Sequence, residues 1–125
     1  MSTTATSLVI VAHGSRREAS NDEVRQLTRR VAAALGGQYD HVSCGFLELA
    51  DPDIPTAIEQ GIQHGAQKIA VLPYFLSAGR HIAEDIPEIL EEIRSRHPAI
   101  EICQLPYAGG LDGMVNLLLS ALEAP

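Results

Sequence analysis

Four short runs of consecutive aliphatic, largely β-branched residues alternate along the chain with four longer stretches whose apolar residues recur every three or four positions. Leu8–Ala12, His41–Leu47, Lys68–Pro73 and Ile100–Leu105 have the length of strands. Leu8-Val9-Ile10-Val11-Ala12 is apolar without alternation, the pattern of a parallel strand covered on both faces. The intervening stretches predict helices. Ser20 and Glu23 have capping-box spacing ahead of a stripe of Val24, Leu27, Val31 and Leu35, which Gly36-Gly37 ends. Asp53 and Pro55 open a second helix with Ile54, Ala57, Ile58 and Ile62 inward, closing at His64-Gly65. Asp85 and Pro87 open a third with Ile86, Ile89, Leu90 and Ile93 inward. The last runs from Asp112 to Glu123 with Val115, Leu118, Leu119 and Leu122 as its core stripe.

Strand–helix alternation repeated four times predicts an α/β fold: a four-stranded parallel sheet flanked by helices on both faces. The 125 residues suffice for one domain, read here as 1–125, and no linker, repeat or low-complexity stretch divides them.

In open parallel sheets ligands gather beyond the carboxyl ends of the strands, where strand order reverses. The first strand leads into His13-Gly14-Ser15-Arg16, the second ends at Phe46-Leu47-Glu48, and the third leads into Tyr74 through His81. Two imidazoles, a carboxylate and the guanidiniums of Arg16 and Arg80 thus arrive at one edge. His64 and His97 sit in last helical turns, where a cationic ring suits the helix dipole, and His41 opens a strand. His13 and His81 have no such structural role. Neutral imidazoles with a carboxylate bind divalent transition metals and also accept protons near neutral pH. Both properties are needed when a metal enters a macrocycle whose nitrogens must lose protons, although spacing alone does not select that reaction.

Nine Lys and Arg against sixteen Asp and Glu leave a net charge of −7, which argues against nucleic-acid binding. No apolar run is long enough to span a bilayer. Met1-Ser2-Thr3-Thr4 lacks the basic cluster of a secretory leader, so the expected compartment is the cytoplasm. Cys44 and Cys103 are too few for a disulfide scaffold or a cysteine zinc site and read as small buried hydrophobes.

At these residues the chain resembles the short-form sirohydrochlorin chelatases, small class II chelatases that insert cobalt or iron into a tetrapyrrole. The resemblance rests on His13-Gly14-Ser15-Arg16, on Phe46-Leu47-Glu48 with Pro52, and above all on Pro73-Tyr74-Phe75-Leu76-Ser77-Ala78-Gly79-Arg80-His81 followed by Asp85-Ile86-Pro87. It extends from Leu8 to Leu122. It implies a chelatase-like, flavodoxin-like domain in which His13 and His81 bind the metal and His13 also accepts protons. Glu48 would assist metal delivery or proton removal. Ser15, Arg16 and the loop Leu76, Ser77, Ala78, Gly79 and Arg80 would contact the macrocycle. The implied partners are the tetrapyrrole, a divalent metal (Co²⁺ or Fe²⁺, with Ni²⁺ admissible by ligand type) and a second copy in a homodimer. No cofactor beyond the metal substrate is implied. A two-fold pair would also wall a cleft that one small domain builds with difficulty.

Two other readings use the same residues. A non-catalytic metal or tetrapyrrole carrier needs the same ligands. Histidine phosphatases also place His-Gly after the first strand, but they require an arginine immediately before the histidine, where this chain has Ala12.

Overall fold

A computed structural model of the chain describes residues 5–123. The Met1–Thr4 stretch that bears on the cellular compartment lies outside them. Strands β1 (Thr6–Ala12), β2 (His41–Phe46), β3 (Lys68–Pro73) and β4 (Glu101–Gln104) form one parallel sheet in the order β2-β1-β3-β4. Helices α1 (Glu18–Leu35), α2 (Ile54–Gln63), α3 (Ile86–Arg96) and α4 (Met114–Glu123) follow the strands in turn. A π-helical turn, His81–Asp85, precedes α3, and a 3₁₀ turn, Ala108–Gly110, precedes α4. Strand order reverses between β1 and β3, so the loops carrying His13 and His81 leave the sheet side by side. Among the described residues no helix is long and apolar enough to cross a membrane.

The unbroken apolar run of β1 has its physical cause in the two layers it separates. Val9 and Val11 pack with Ile69 and Val71 against Ile54, Ala57 and Ile58 of α2 and Ile86, Leu90 and Ile93 of α3. Leu8, Ile10 and Ala12 face the other way, joining Cys44, Phe46 and Ala70 beneath Val24, Val31 and Leu35 of α1. Each fully buried aliphatic side chain contributes roughly 1.5–3 kcal/mol, so this double-sided strand is the centre of the fold. Cys44 is buried and Cys103 half-buried, and both thiols are free.

Three helix expectations change. α1 begins at Glu18, with Arg17 as an extended N-cap that makes no side-chain cap bond, so Ser20 and Glu23 are no capping box. Asn21 is the reason, because its buried side chain is bound to the preceding loop and draws the helix start forward. Asp85 is helical rather than a cap, and its carboxylate bonds elsewhere. α4 forms where expected, but Val115, Leu118, Leu119 and Leu122 are exposed rather than inward. Its main neighbour is the 3₁₀ turn, and Leu72, Cys103 and Leu105 on the sheet's α1 side are left only partly covered.

α2 follows its sequence closely. Asp53 is the N-cap, accepting from the Thr56 N–H at 2.8 Å, and Pro55 occupies the first turn. This bond holds the Asp53 carboxyl below its ordinary value. Asp53→Ala is expected to cost about 1 kcal/mol at neutral pH. Because the folded-state pKa is the lower one, that contribution is complete above the unfolded value near 3.8 and is lost as pH falls through the folded value. Urea unfolding of the two proteins at neutral and strongly acidic pH checks this; a stability gap that does not narrow in acid would contradict it.

Candidate functional site

The loops after β1 and β2 are stitched together by backbone. The Leu47 N–H donates to the Ala12 carbonyl (2.9 Å), and the Glu48 N–H donates to the His13 carbonyl (3.1 Å). Between them Gly14 sits at φ +94°, and a β-carbon there would lie 1.8 Å from the Glu48 carbonyl oxygen. Only glycine permits both the dihedral and the approach. As a result His13 Nε2 lies 3.2 Å from Glu48 Oε1. The next residues are held from below: the Ser15 N–H donates to Asn21 Oδ1 (2.9 Å), and Asn21 Nδ2 donates back to the Ser15 carbonyl (2.8 Å). Asn21 is 1% exposed, so its amide has no competing water and the loop is fixed.

The third loop is held by the segment after β4. The Gly109 N–H donates to the Phe75 carbonyl (2.9 Å), and a β-carbon at Gly109 would lie 1.7 Å from the Leu76 carbonyl oxygen. The chain then enters the π-turn, in which the Ile86 N–H reaches back to the His81 carbonyl. Pro87 has no N–H to offer the Ala83 carbonyl, which accounts for the irregular winding just ahead of it. His81 emerges with its ring centroid 4.9 Å from that of His13, the planes inclined by 33°. The Phe75 ring centroid lies 6.0 Å from that of His81. His81 Nδ1 is 2.7 Å from Asp85 Oδ2.

His13, Glu48 and His81 thus line one open cavity of about 330 Å³, together with Leu47, Asp85, Glu88 and Ile89. The two imidazoles are close enough to share one ion, since imidazole nitrogens bind such metals at about 2.0–2.1 Å. Among the described residues no three His, Cys, Asp or Glu side chains form a group that could hold a metal ion. The geometry is therefore a two-imidazole mouth beside carboxylates, with coordination positions left open.

The other sequence-expected residues are not among those that line this cavity. Ser15 is half-buried over Asn21, and its hydroxyl accepts from the Arg17 N–H (3.0 Å). Arg16, Ser77, Ala78 and Gly79 are exposed. Arg80 is exposed and pairs with Glu84 at 3.1 Å, one turn along. Leu76 faces a separate apolar groove of about 580 Å³ with Tyr74, Leu111, Met114 and Leu118. Sequence reasoning missed Asn21, Asp85 and Glu88. Only Asp85 had a readable signal, its spacing of four from His81 on a helical turn.

His41 and His64 stack at the opposite end of the sheet, centroids 4.6 Å apart. Burial and the neighbouring His64 lower the pKa of His41. His97 bonds to Glu59, tying α3 to α2.

The CbiX family model matches residues 7–124. A sirohydrochlorin cobaltochelatase of Methanococcus maripaludis is 41% identical over 83 residues, covering 66% of this chain and 56% of that protein. A sirohydrochlorin ferrochelatase of Bacillus subtilis is 36% identical over 100 residues, covering 76% of this chain and 36% of that protein. The chain thus spans little more than half the length of the first of these relatives and about a third of the second. The crystal structure of the sirohydrochlorin chelatase SirB from Bacillus subtilis subspecies spizizenii in complex with cobalt superposes with a TM-score of 0.84 at 28% identity, covering 96% of this chain and 50% of that one.

Gly14→Ala tests the loop contact. The substitution should destabilise the fold by more than about 1–2 kcal/mol, the cost of the left-handed dihedral alone, because the carbonyl overlap adds to it. Chemical denaturation measures this, and an unchanged midpoint would mean that the two loops can part freely.

Proposed function

Because the chain belongs to the CbiX family, we propose that it inserts a divalent metal, cobalt foremost or iron, into sirohydrochlorin during tetrapyrrole biosynthesis. The observation that carries this reading is the facing pair of His13 and His81 at 4.9 Å, with Glu48 3.2 Å from His13. The metal is a substrate, and no resident cofactor is invoked; Ni²⁺ is admissible to the same ligands. Cytoplasm is the proposed compartment, in keeping with two free cysteines.

The steps follow from the groups present. His13 and His81 bind the incoming ion through neutral imidazole nitrogens and leave its remaining positions to water. The macrocycle presents its pyrrole nitrogens over the mouth, and these replace the waters. Each ring nitrogen that becomes a ligand displaces an imidazole from the ion and releases a proton; His13, once free of the metal, accepts it, and Glu48, 3.2 Å from its Nε2, takes a proton onward. The exposed Arg16 and Arg80 would meet the substrate's carboxylates, Arg80 by exchanging Glu84 for a substrate carboxylate.

A second copy belongs to the proposal. α4 exposes Val115, Leu117, Leu118, Leu119 and Leu122, while the sheet beside β4 keeps Leu72, Cys103 and Leu105 partly open. SirB, whose chain this one covers by half, has the length for two such units. Burial of each leucine against a partner would contribute roughly 1.5–3 kcal/mol.

An insertion assay with sirohydrochlorin and Co²⁺ or Fe²⁺ tests the activity. The expected result is metal insertion above the uncatalysed rate, reduced about 10²-fold in kcat by His13→Ala. Binding of both substrates without acceleration would identify a carrier instead. Light scattering tests the pairing: the native chain should have twice the 13.4 kDa chain mass, and Leu118→Glu with Leu122→Glu should return it to one. A native monomer at micromolar concentration would refute it.

A further inference from the structure

We infer that Asp85 is a positioning residue that fixes the tautomer of His81, keeping its Nε2 lone pair available to the metal. The inference rests on the reading of His81 as a metal ligand. His81 Nδ1 and Asp85 Oδ2 are 2.7 Å apart, a charge-assisted distance. An ionised carboxylate can only accept, so the hydrogen lies on His81 Nδ1. In a neutral ring that leaves Nε2 without a hydrogen, and a nitrogen must be in that state to bind a metal.

Stability does not explain the pair. The side chains are 42% and 37% exposed, and i,i+4 pairs at such positions contribute only a few tenths of a kcal/mol. The usual service of an aspartate before a proline-containing helix start is also absent. Asp85 has helical dihedrals and makes no cap bond, although its position ahead of Pro87 suggests one. What it does is hold one ring. The π-turn spans the pair from His81 to Asp85, and Phe75 flanks the same imidazole. The neighbouring Glu84 is engaged by Arg80, and Glu88 lines the cavity without a bond to His81, which leaves Asp85 as the carboxylate on Nδ1.

His13 is arranged differently. Its Nε2 lies 3.2 Å from Glu48 Oε1, which leaves Nδ1 as the nitrogen free to bind the metal. The two histidines thus differ in how closely a carboxylate holds them, 2.7 Å at His81 and 3.2 Å at His13. Without Asp85, His81 would populate both tautomers, and the fraction carrying hydrogen on Nε2 could not bind.

The experiment uses the full chain without tetrapyrrole. Long-range ¹H–¹⁵N correlation spectra at slightly alkaline pH report the tautomer of His81 in the native chain, Asp85→Ala and Asp85→Asn. Titration with Co²⁺ alone, followed by its visible absorption, reports affinity, and circular dichroism verifies folding. The native chain should show hydrogen on Nδ1. Asp85→Ala should show a mixture and bind Co²⁺ about 10-fold more weakly. Asp85→Asn, which still offers an oxygen to Nδ1–H, should recover part of that loss. Hydrogen on Nε2 in the native chain would overturn the inference. So would native Co²⁺ affinity in Asp85→Ala together with its loss in His81→Ala. Co²⁺ affinity that survives His81→Ala would instead overturn the ligand reading, and the role of Asp85 with it.

Discussion

The site depends on one close approach of backbone to backbone. Gly14, at φ +94°, lies where any β-carbon would overlap the Glu48 carbonyl oxygen. The contact lets the loop after β1 lean onto the loop after β2, with the Glu48 N–H on the His13 carbonyl. Without it the His13 and Glu48 side chains would belong to two separate loops. Parallel pairing fixes the rest, because β1 and β3 run in register from Thr6 opposite Lys68 to Val11 opposite Pro73. The strand ends are therefore level, and the chain leaving β3 carries its histidine back over the chain leaving β1. The close pairing of two imidazoles 68 residues apart follows from sheet register, with Gly14 fixing the first loop and Gly109 the third.

The architecture was legible because β1 obeys a strong rule. A strand with Val9 and Val11 on one side and Leu8, Ile10 and Ala12 on the other can only be central. Asp53 and Pro55 were legible for a local reason, since an N-cap bond spans three residues and needs no tertiary partner. The misreadings share the opposite property. Ser20 and Glu23 match a local motif, but the helix start is set by Asn21 reaching six residues back to Ser15. Asp85 matches a cap by position, yet the π-turn carries it into the helix and leaves its carboxylate to His81. Of the candidate site, the three residues named on separate strand ends do converge, because strand polarity alone directs them to one edge. The loop residues from Leu76 to Arg80 were carried by motif likeness, and their placement depends on the Gly109 contact from a distant segment.

The electrostatics of the mouth are two-sided. Glu48, Asp85 and Glu88 line the cavity with the histidines, a negative lining that would draw the proposed divalent cation toward the imidazoles. The same carboxylates, within a chain of net charge −7, oppose a polyanionic macrocycle. Two features limit the conflict. Asp85 is committed to His81, and Arg16 and Arg80 are exposed on the loops that carry the two histidines. Screening over about 8 Å at physiological salt weakens the pull of more distant acidic helices. In the proposed reaction, cation attraction at the cavity and carboxylate recognition by the arginines could coexist because the arginines are not among the groups lining the cavity.

α4 leaves apolar surface of this chain uncovered. In a doubly covered sheet the last helix would bury its leucines over the strands it follows, yet here Leu118 and Leu122 are 62% and 80% exposed. Weak helix propensity is no explanation, since Met, Leu and Ala favour helix and the element forms in full. What is missing is a surface to receive it. The partly open side of β3 and β4 is apolar and belongs to the same fold. A helix with no seat on its own domain and a sheet face with no helix are complementary deficits. The proposed two-fold pair would satisfy both at once, because each copy would lend what the other lacks. The apolar groove between Leu76 and α4 would then adjoin the contact between copies, and the loop that leads to His81 would be braced by the same association that covers the leucines.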